Sequence, residues 1–196
     1  MWTILFAPAA LALPPMEVAI EVGSLHNGDS AYDVVSDEDI VTSVGLRGGI
    51  AVAGPLHVVV GWHRASQGAS VFAGETAFQS AYQANEWTGG LKGVWHLHDV
   101  IQPYVSAQAL VLQGAFKFDG DASDDDNIDQ LVERAVHPGG MATLGACATV
   151  PLPDWPAQPA LWLEGGIAGV SRATYGNFGD MAAGGFIFRA GAGVQF

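Results

Sequence analysis

From residue 16 onward, apolar and polar positions alternate with a period of two, the pattern of strands whose two faces meet different surroundings. The last segment is the plainest. Phe186, Phe188, Ala190, Ala192, Val194 and Phe196 share one face, and Ile187, Arg189, Gly191, Gly193 and Gln195 share the other. Seven earlier segments read likewise, at about 16–24, 42–53, 55–65, 85–97, 103–117, 139–150 and 160–173. In the first, Val18, Ile20 and Val22 oppose Glu17, Ala19 and Glu21; in the second, Val44, Leu46 and Ile50 oppose Ser43, Gly45 and Arg47. The third sets Val58, Val60 and Trp62 against His57, Val59 and His63, and the fourth sets Trp87 and Leu91 against Glu86, Thr88 and Lys92. The fifth is blurred: past Gln108 both of its faces turn apolar. In the sixth, Ala142 and Leu144 oppose Met141, Thr143 and Cys147; in the seventh, Leu161, Leu163 and Ile167 oppose Trp162, Glu164, Ala168 and Arg172. The pattern predicts eight strands.

The connections alternate in length. Gly54-Pro55, His98-Asp99 and the proline-rich 151–159 are short, whereas about 25–41, 66–84, 118–138 and 174–184 read as longer loops. Short turns at one end and long loops at the other give an up-and-down meander, the layout of transmembrane barrels. The inside–outside question turns on the less apolar face. It consists of glycine and small residues, punctuated by Glu17, Glu21, Arg47, Glu86, Lys92, Glu164, Arg172 and Arg189. A lipocalin-like soluble barrel would bury the Val/Leu/Trp face around a ligand and clothe its exterior in Lys and Glu. A sparse set of ions among glycines fits the narrow interior of an eight-stranded barrel instead. The expected fold is therefore all-β, an eight-stranded antiparallel up-and-down transmembrane β-barrel over 16–196, with the apolar face toward lipid. Aromatic residues support it, with Trp95, Tyr104, Trp155 and Phe196 at the short-turn end and Trp62, Trp87, Tyr175 and Phe186 at the other, as two interfacial girdles.

Composition narrows the choice further. Only 14% of the 196 residues are charged, 26 are glycine, and mean hydropathy is +0.26. Past the first fifteen residues no stretch is apolar enough for a spanning helix. Twenty Asp and Glu against seven Lys and Arg leave a net charge of −13, which argues against nucleic acid as a partner. One cysteine excludes a disulfide framework. Residues 1–15 (MWTILFAPAALALPP) end in a small-x-small Ala10-Leu11-Ala12 and read as a short secretory signal without a basic n-region, or as an apolar N-terminal segment.

The tail Arg189-Ala190-Gly191-Ala192-Gly193-Val194-Gln195-Phe196 resembles the C-terminal assembly signal of bacterial outer-membrane proteins, carried by Arg189, Gly191, Val194 and Phe196. With eight strands, the chain resembles the small outer-membrane barrels of the OmpA, OmpX and OmpW kind. The resemblance implies insertion by the barrel-assembly machinery into the bacterial outer membrane, with periplasmic termini, and contact with outer-membrane lipid and lipopolysaccharide.

Candidate chemistry is of three kinds. The interior ions should pair, because an unpaired charge in a confined lumen costs several kcal/mol. Arg47 and Arg189 are expected against Glu17 and Glu21, Lys92 against Glu86, and Arg172 against Glu164. The acidic run Asp119, Asp121, Asp124, Asp125, Asp126 and Asp129 offers oxygen ligands for loosely held Ca²⁺ or Mg²⁺, at spacings unlike an EF-hand. Asp29, Asp33, Asp37, Glu38 and Asp39 form a second acidic loop. A lipid-modifying barrel enzyme would need a His–Ser pair with a carboxylate, and His63, Ser66 and Glu86 are the nearest set. No second signal supports a triad, so no enzyme and no tightly bound cofactor are expected. The expected role is structural or interactive, with long acidic external loops. The alternative is a narrow channel for small solutes, hydrophobic or not, and a soluble ligand binder ranks below it.

Overall fold

The computed structural model describes all residues except 1–13, 28–39, 74–75, 96, 98–99, 121–130, 154, 176–179 and 182–183. Eight antiparallel strands close into one barrel: β1 (Met16–Asn27), β2 (Ile40–Ala53), β3 (Leu56–Ala73), β4 (Thr76–Val94), β5 (Ile101–Gly120), β6 (Leu131–Thr149), β7 (Gln158–Val170) and β10 (Gly184–Gln195). A two-residue ribbon, β8 (Ala173–Thr174) with β9 (Asp180–Met181), lies between the last two in the chain. Sequential strands are neighbours, and the barrel is sealed by β1 pairing with β10 from Glu17↔Gln195 to Asn27↔Gly185. Phe196 N–H donates to Met16 O at 2.9 Å, so the two ends of the described chain meet at the short-turn end. Closure pairs every strand of the wall on both sides, as a hydrocarbon environment requires.

The alternation is realised as expected. Val18, Ile20, Val22, Leu46, Val60, Leu91, Leu144, Leu161, Leu163, Ile167 and Phe188 face outward, while Glu17, Glu21, Arg47, Lys92, Glu164 and Arg189 are buried inside. On β10 the apolar outer face runs from Phe186 to Phe196. At about 3.3 Å per residue and a tilt near 40° it rises about 25 Å, the height of the apolar band of outer-membrane barrels. An outward surface this apolar suits lipid, not water.

Four expectations are corrected, two for loops and two for aromatic residues. Within 66–84 and 118–138 the described residues are strand: β3 pairs with β4 up to Ala73↔Thr76, and β5 pairs with β6 up to Phe118↔Leu131. The weakly apolar Ser, Gln, Ala and Gly of 66–84 hid the period of two, but backbone pairing with the neighbour is satisfied without it. Tyr104 and Tyr175 are not girdle residues. Both are almost fully buried in the lumen. Trp87, Trp95, Trp155, Phe186 and Phe196 do face outward, with Trp62 and Trp87 ring centroids 6.2 Å apart at the long-strand end.

Inside, three layers stack. Nearest the termini lie Ala19, Val94, Tyr104, Cys147, Ala160 and Trp162. The charged groups occupy the middle. Val41, Ala65, Tyr82, Ala84, Leu112, Phe116 and Tyr175 close the far end. This last layer explains the blurred fifth strand, whose Leu112 and Phe116 point inward while Val105, Ala107, Ala109 and Val111 meet the exterior. Inward glycines make room. A Cβ at Gly145 would stand 2.5 Å from the Tyr104 ring. One at Gly45 would strike His63, and one at Gly114 would strike the Tyr175 hydroxyl.

Candidate functional site in the barrel lumen

Arg47, on β2, is the hub of the lumen. Its Nη1 lies 3.0 Å from Glu21 Oε1 and 2.9 Å from Glu164 Oε2, and its Nε lies 3.9 Å from Glu17 Oε1. The guanidinium also stands over the rings of Tyr104 and Trp162, 5.7 and 5.6 Å from their centroids. A planar cation can stack and pair in this way at once, which an ammonium does less well. Lys92, on β4, pairs with Glu17 and lies 5.1 Å above the Tyr104 ring. Arg189, on β10, pairs with Glu86 and approaches Glu164 Oε1 at 3.7 Å. His63 completes the cluster between two carboxylates, with Nε2 3.1 Å from Glu21 Oε2 and Nδ1 3.7 Å from Glu86 Oε1.

Neutral groups satisfy part of what the ions leave over. Tyr104 donates its hydroxyl to Glu164 Oε2 at 2.9 Å. Thr143 reaches the same oxygen at 3.5 Å, and Ser106 and Thr143 share a hydrogen bond of 2.7 Å. Gln108 donates to Ser106 at 3.0 Å. Six strands thereby hold Glu17, Glu21, Arg47, His63, Glu86, Lys92, Glu164 and Arg189 in one network.

Of the eight interior ions expected from the sequence, seven belong to this network, and Arg47 pairs with Glu21 as expected. Three pairings are corrected. Arg189 stands opposite Gly23 on β1 and opposite Glu164 on β7, so it reaches Glu164 and Glu86 rather than Glu17 or Glu21. Lys92 and Glu86 share a strand face but are six residues, roughly 20 Å, apart along it, whereas Glu17 faces Lys92 across the lumen. Arg172 does not reach Glu164. β7 ends at Val170, Ser171 N–H turns to Pro138 O at 2.8 Å, and Arg172 is exposed beyond the wall. His63 and Tyr104 were not expected as members of the network; their inward parity on β3 and β5 is the signal that could have placed them.

The His63, Ser66, Glu86 set is not a triad. His63 points into the lumen and Ser66, three residues on, points outward, so the two lie on opposite faces. The run Asp121 to Asp129 lies outside the described residues, as does 28–39, and Asp119 sits at the end of β5. Among the described residues no group of three or more His, Cys, Asp or Glu is arranged to hold a metal ion. In the tail, Arg189 is a lumen residue, Gly191 lies against Glu21, and Phe196 faces outward at the short-turn end.

Above the ions, His137 and Tyr175 form the upper latch. His137 Nδ1 lies 2.9 Å from the Ser171 carbonyl, which can only accept, so Nδ1 carries the proton. Nε2 then accepts from the Tyr175 hydroxyl at 2.6 Å. Burial pushes that hydroxyl up to about 12, so it remains a donor at ordinary pH. Phe116 meets the Tyr175 ring edge-on at 4.8 Å.

A closed eight-stranded antiparallel barrel with an apolar exterior and an ion-paired interior has the fold of the small bacterial outer-membrane barrels. Solved structures agree. The attachment invasion locus protein Ail of Yersinia pestis superposes with a TM-score of 0.53 at 11% identity, over 94% of this chain and all of that one. A major outer membrane protein of Thermus thermophilus gives 0.53 at 14% identity, over 92% of this chain and 99% of that one. No protein-family model and no curated protein sequence matches the chain.

Proposed function

We propose that the chain is an outer-membrane barrel with a sealed lumen, whose role is structural and interactive and is exercised at the long-strand end, facing the cell exterior. The observation that carries this reading is burial inside the wall. Tyr104, His63, Glu21, Lys92, Phe116 and Tyr175 all point into the lumen, yet none is more than 2% exposed. A continuous water column would wet such groups. The narrow-channel reading needs that column, and the enzyme reading needs a nucleophile facing a base.

The wall is also uneven in height. β3 to β6 have 18 to 20 residues, against 12 to 14 in β1, β2, β7 and β10. β2 pairs with β3 only as far as Ser43↔Ala65, and β6 pairs with β7 only from Gly139↔Val170 onward. A four-stranded sheet therefore stands above the rest of the barrel, and the acidic segment 121–130 joins two of its strands, β5 and β6, at that end. In this orientation the short-turn end, where Met16 and Phe196 meet, faces the periplasm. The acids of 121–130 would reach lipopolysaccharide phosphates through shared divalent cations.

Two experiments test the reading. In planar lipid bilayers the purified chain should give no steady conductance, and stepwise openings would restore the channel. In intact cells, Ser123→Cys should react with a membrane-impermeant maleimide while buried Cys147 stays silent. Labelling only after cell lysis would reverse the orientation.

A further inference from the structure

The chain has seven lysines and arginines in all, and the structure divides them sharply. Arg47, Lys92 and Arg189 are inside the lumen; Arg64, Lys117, Arg134 and Arg172 are exposed, every one at the long-strand end. Three of these four sit on the outer face of the tall wall. Strand register places them in rows. The row Trp62–Trp87–Val111–Pro138 marks the top of the aromatic belt. Above it, counting outward-facing positions only, come Arg64–Asn85–Gln113–Val136, then Ser66–Gln83–Ala115–Arg134, then Gly68–Ala81–Lys117–Val132.

These twelve positions hold three cations, four uncharged polar side chains and no carboxylate, in a chain with 20 Asp and Glu. The outer face changes from apolar to cationic within one row of the tryptophans. Arg134 pairs across β5–β6 with Ala115, and Lys117 pairs with Val132, so the two cations are diagonal neighbours roughly 7–8 Å apart. Like charges so placed repel unless an anion lies between them. Their stems can lie along the apolar wall with the charged heads at headgroup height. Arginine forks match phosphate oxygens bidentately.

We propose that this face of β3–β6 binds the phosphate groups of outer-leaflet lipid directly, with Lys117 and Arg134 sharing one group and Arg64 taking another. The proposal rests on the outer-membrane reading above and adds the ligand chemistry and the residues that recognise it. It differs in kind from cation bridging through the acidic segment, since it needs no divalent ion.

The test uses the full chain in non-ionic detergent at low salt with a chelator present. The probes are diphosphorylated lipid A, the same lipid with its phosphates removed, and inorganic phosphate. Near a hundredfold excess over the dissociation constant, the phosphorylated lipid should raise the unfolding midpoint by about 5–10 °C. The dephosphorylated lipid should raise it far less. The triple variant Arg64→Gln, Lys117→Gln, Arg134→Gln should fold, as shown by its unboiled gel mobility, and lose the difference between the two lipids. Equal shifts from both lipids, or a triple variant that keeps the difference, would overturn the proposal. An equal shift from inorganic phosphate would assign these cations to free anions and overturn the lipid source. Failure of the underlying barrel reading would show separately, as a chain that stays in water without detergent.

Discussion

Replacing Arg47 with methionine removes the hub of the lumen and keeps most of its volume. Arg47 is 5% exposed and stands within 3.0 Å of carboxylates on Glu21 and Glu164, with Glu17 at 3.9 Å. Its loss leaves Glu17 to Lys92, Glu21 to His63 and Glu164 to Arg189 at 3.7 Å, a guanidinium already paired with Glu86, so four carboxylates remain in a site sealed from water with its central cation gone. Breaking a buried pair by removing one member costs about 3–5 kcal/mol. The lost stacking on Tyr104 and Trp162 adds to this, while methionine's own burial offsets part of it. At about 2–4 °C per kcal/mol for a chain of this size, the unfolding midpoint in detergent should fall by about 6–20 °C. The assay is the temperature at which unboiled gel mobility converts to the boiled form. A second change, Glu164→Gln in the Arg47→Met background, should recover part of the loss, because it removes an uncompensated charge. Arg172→Met, at an exposed position outside the network, is the control and should move the midpoint little. If Arg47→Met shifted it by less than about 2 °C, or Glu164→Gln deepened the loss, the network would not be what holds the lumen together.

Other outcomes follow from the same geometry. Leu163→Arg places a cation on the lipid-facing side and should cost about 2–4 kcal/mol in an equilibrium unfolding titration with phospholipid vesicles; a soluble barrel would tolerate it. Gly145→Val forces the Tyr104 ring aside and should cost about 1–3 kcal/mol in the same titration, whereas Gly89→Ala, where a Cβ meets nothing within 4 Å, should be nearly neutral. Tyr175→Phe loses the bond to His137 and should cost about 1 kcal/mol at pH 8. The wild-type advantage should then shrink as pH rises from about 10 to about 12. Over that range the unfolded chain ionises the hydroxyl while the folded one holds its proton, so unfolding is favoured.

The wall was readable from the sequence because a strand in a lipid-facing barrel must alternate between two chemically opposed surfaces, and β1, β2 and β10 do so almost without interruption. Reading failed where that contrast vanished. In 66–73 and 76–84 small and amide residues fall on both parities, and strand identity comes from pairing with a neighbouring strand rather than from the pattern. The ions were readable as a set, since charge on the inward parity of a narrow barrel has no other place to go. Their partners were not, because pairing across a lumen depends on shear. Sequence proximity drew Lys92 to Glu86 and Arg172 to Glu164, whereas closure sets Lys92 against Glu17. Tyr104 and Tyr175 looked like belt residues by position along the chain. Only the inward parity of one, and the path of the chain after β7 for the other, puts them inside.

A closed barrel that sits in a membrane with its apolar face outward should be heat-modifiable when extracted by detergent from a membrane fraction. Unboiled and boiled samples should run at different mobilities, and the chain should leave the aqueous phase when detergent is withdrawn. A chain that stays soluble without detergent and runs identically before and after boiling would contradict the closed membrane barrel.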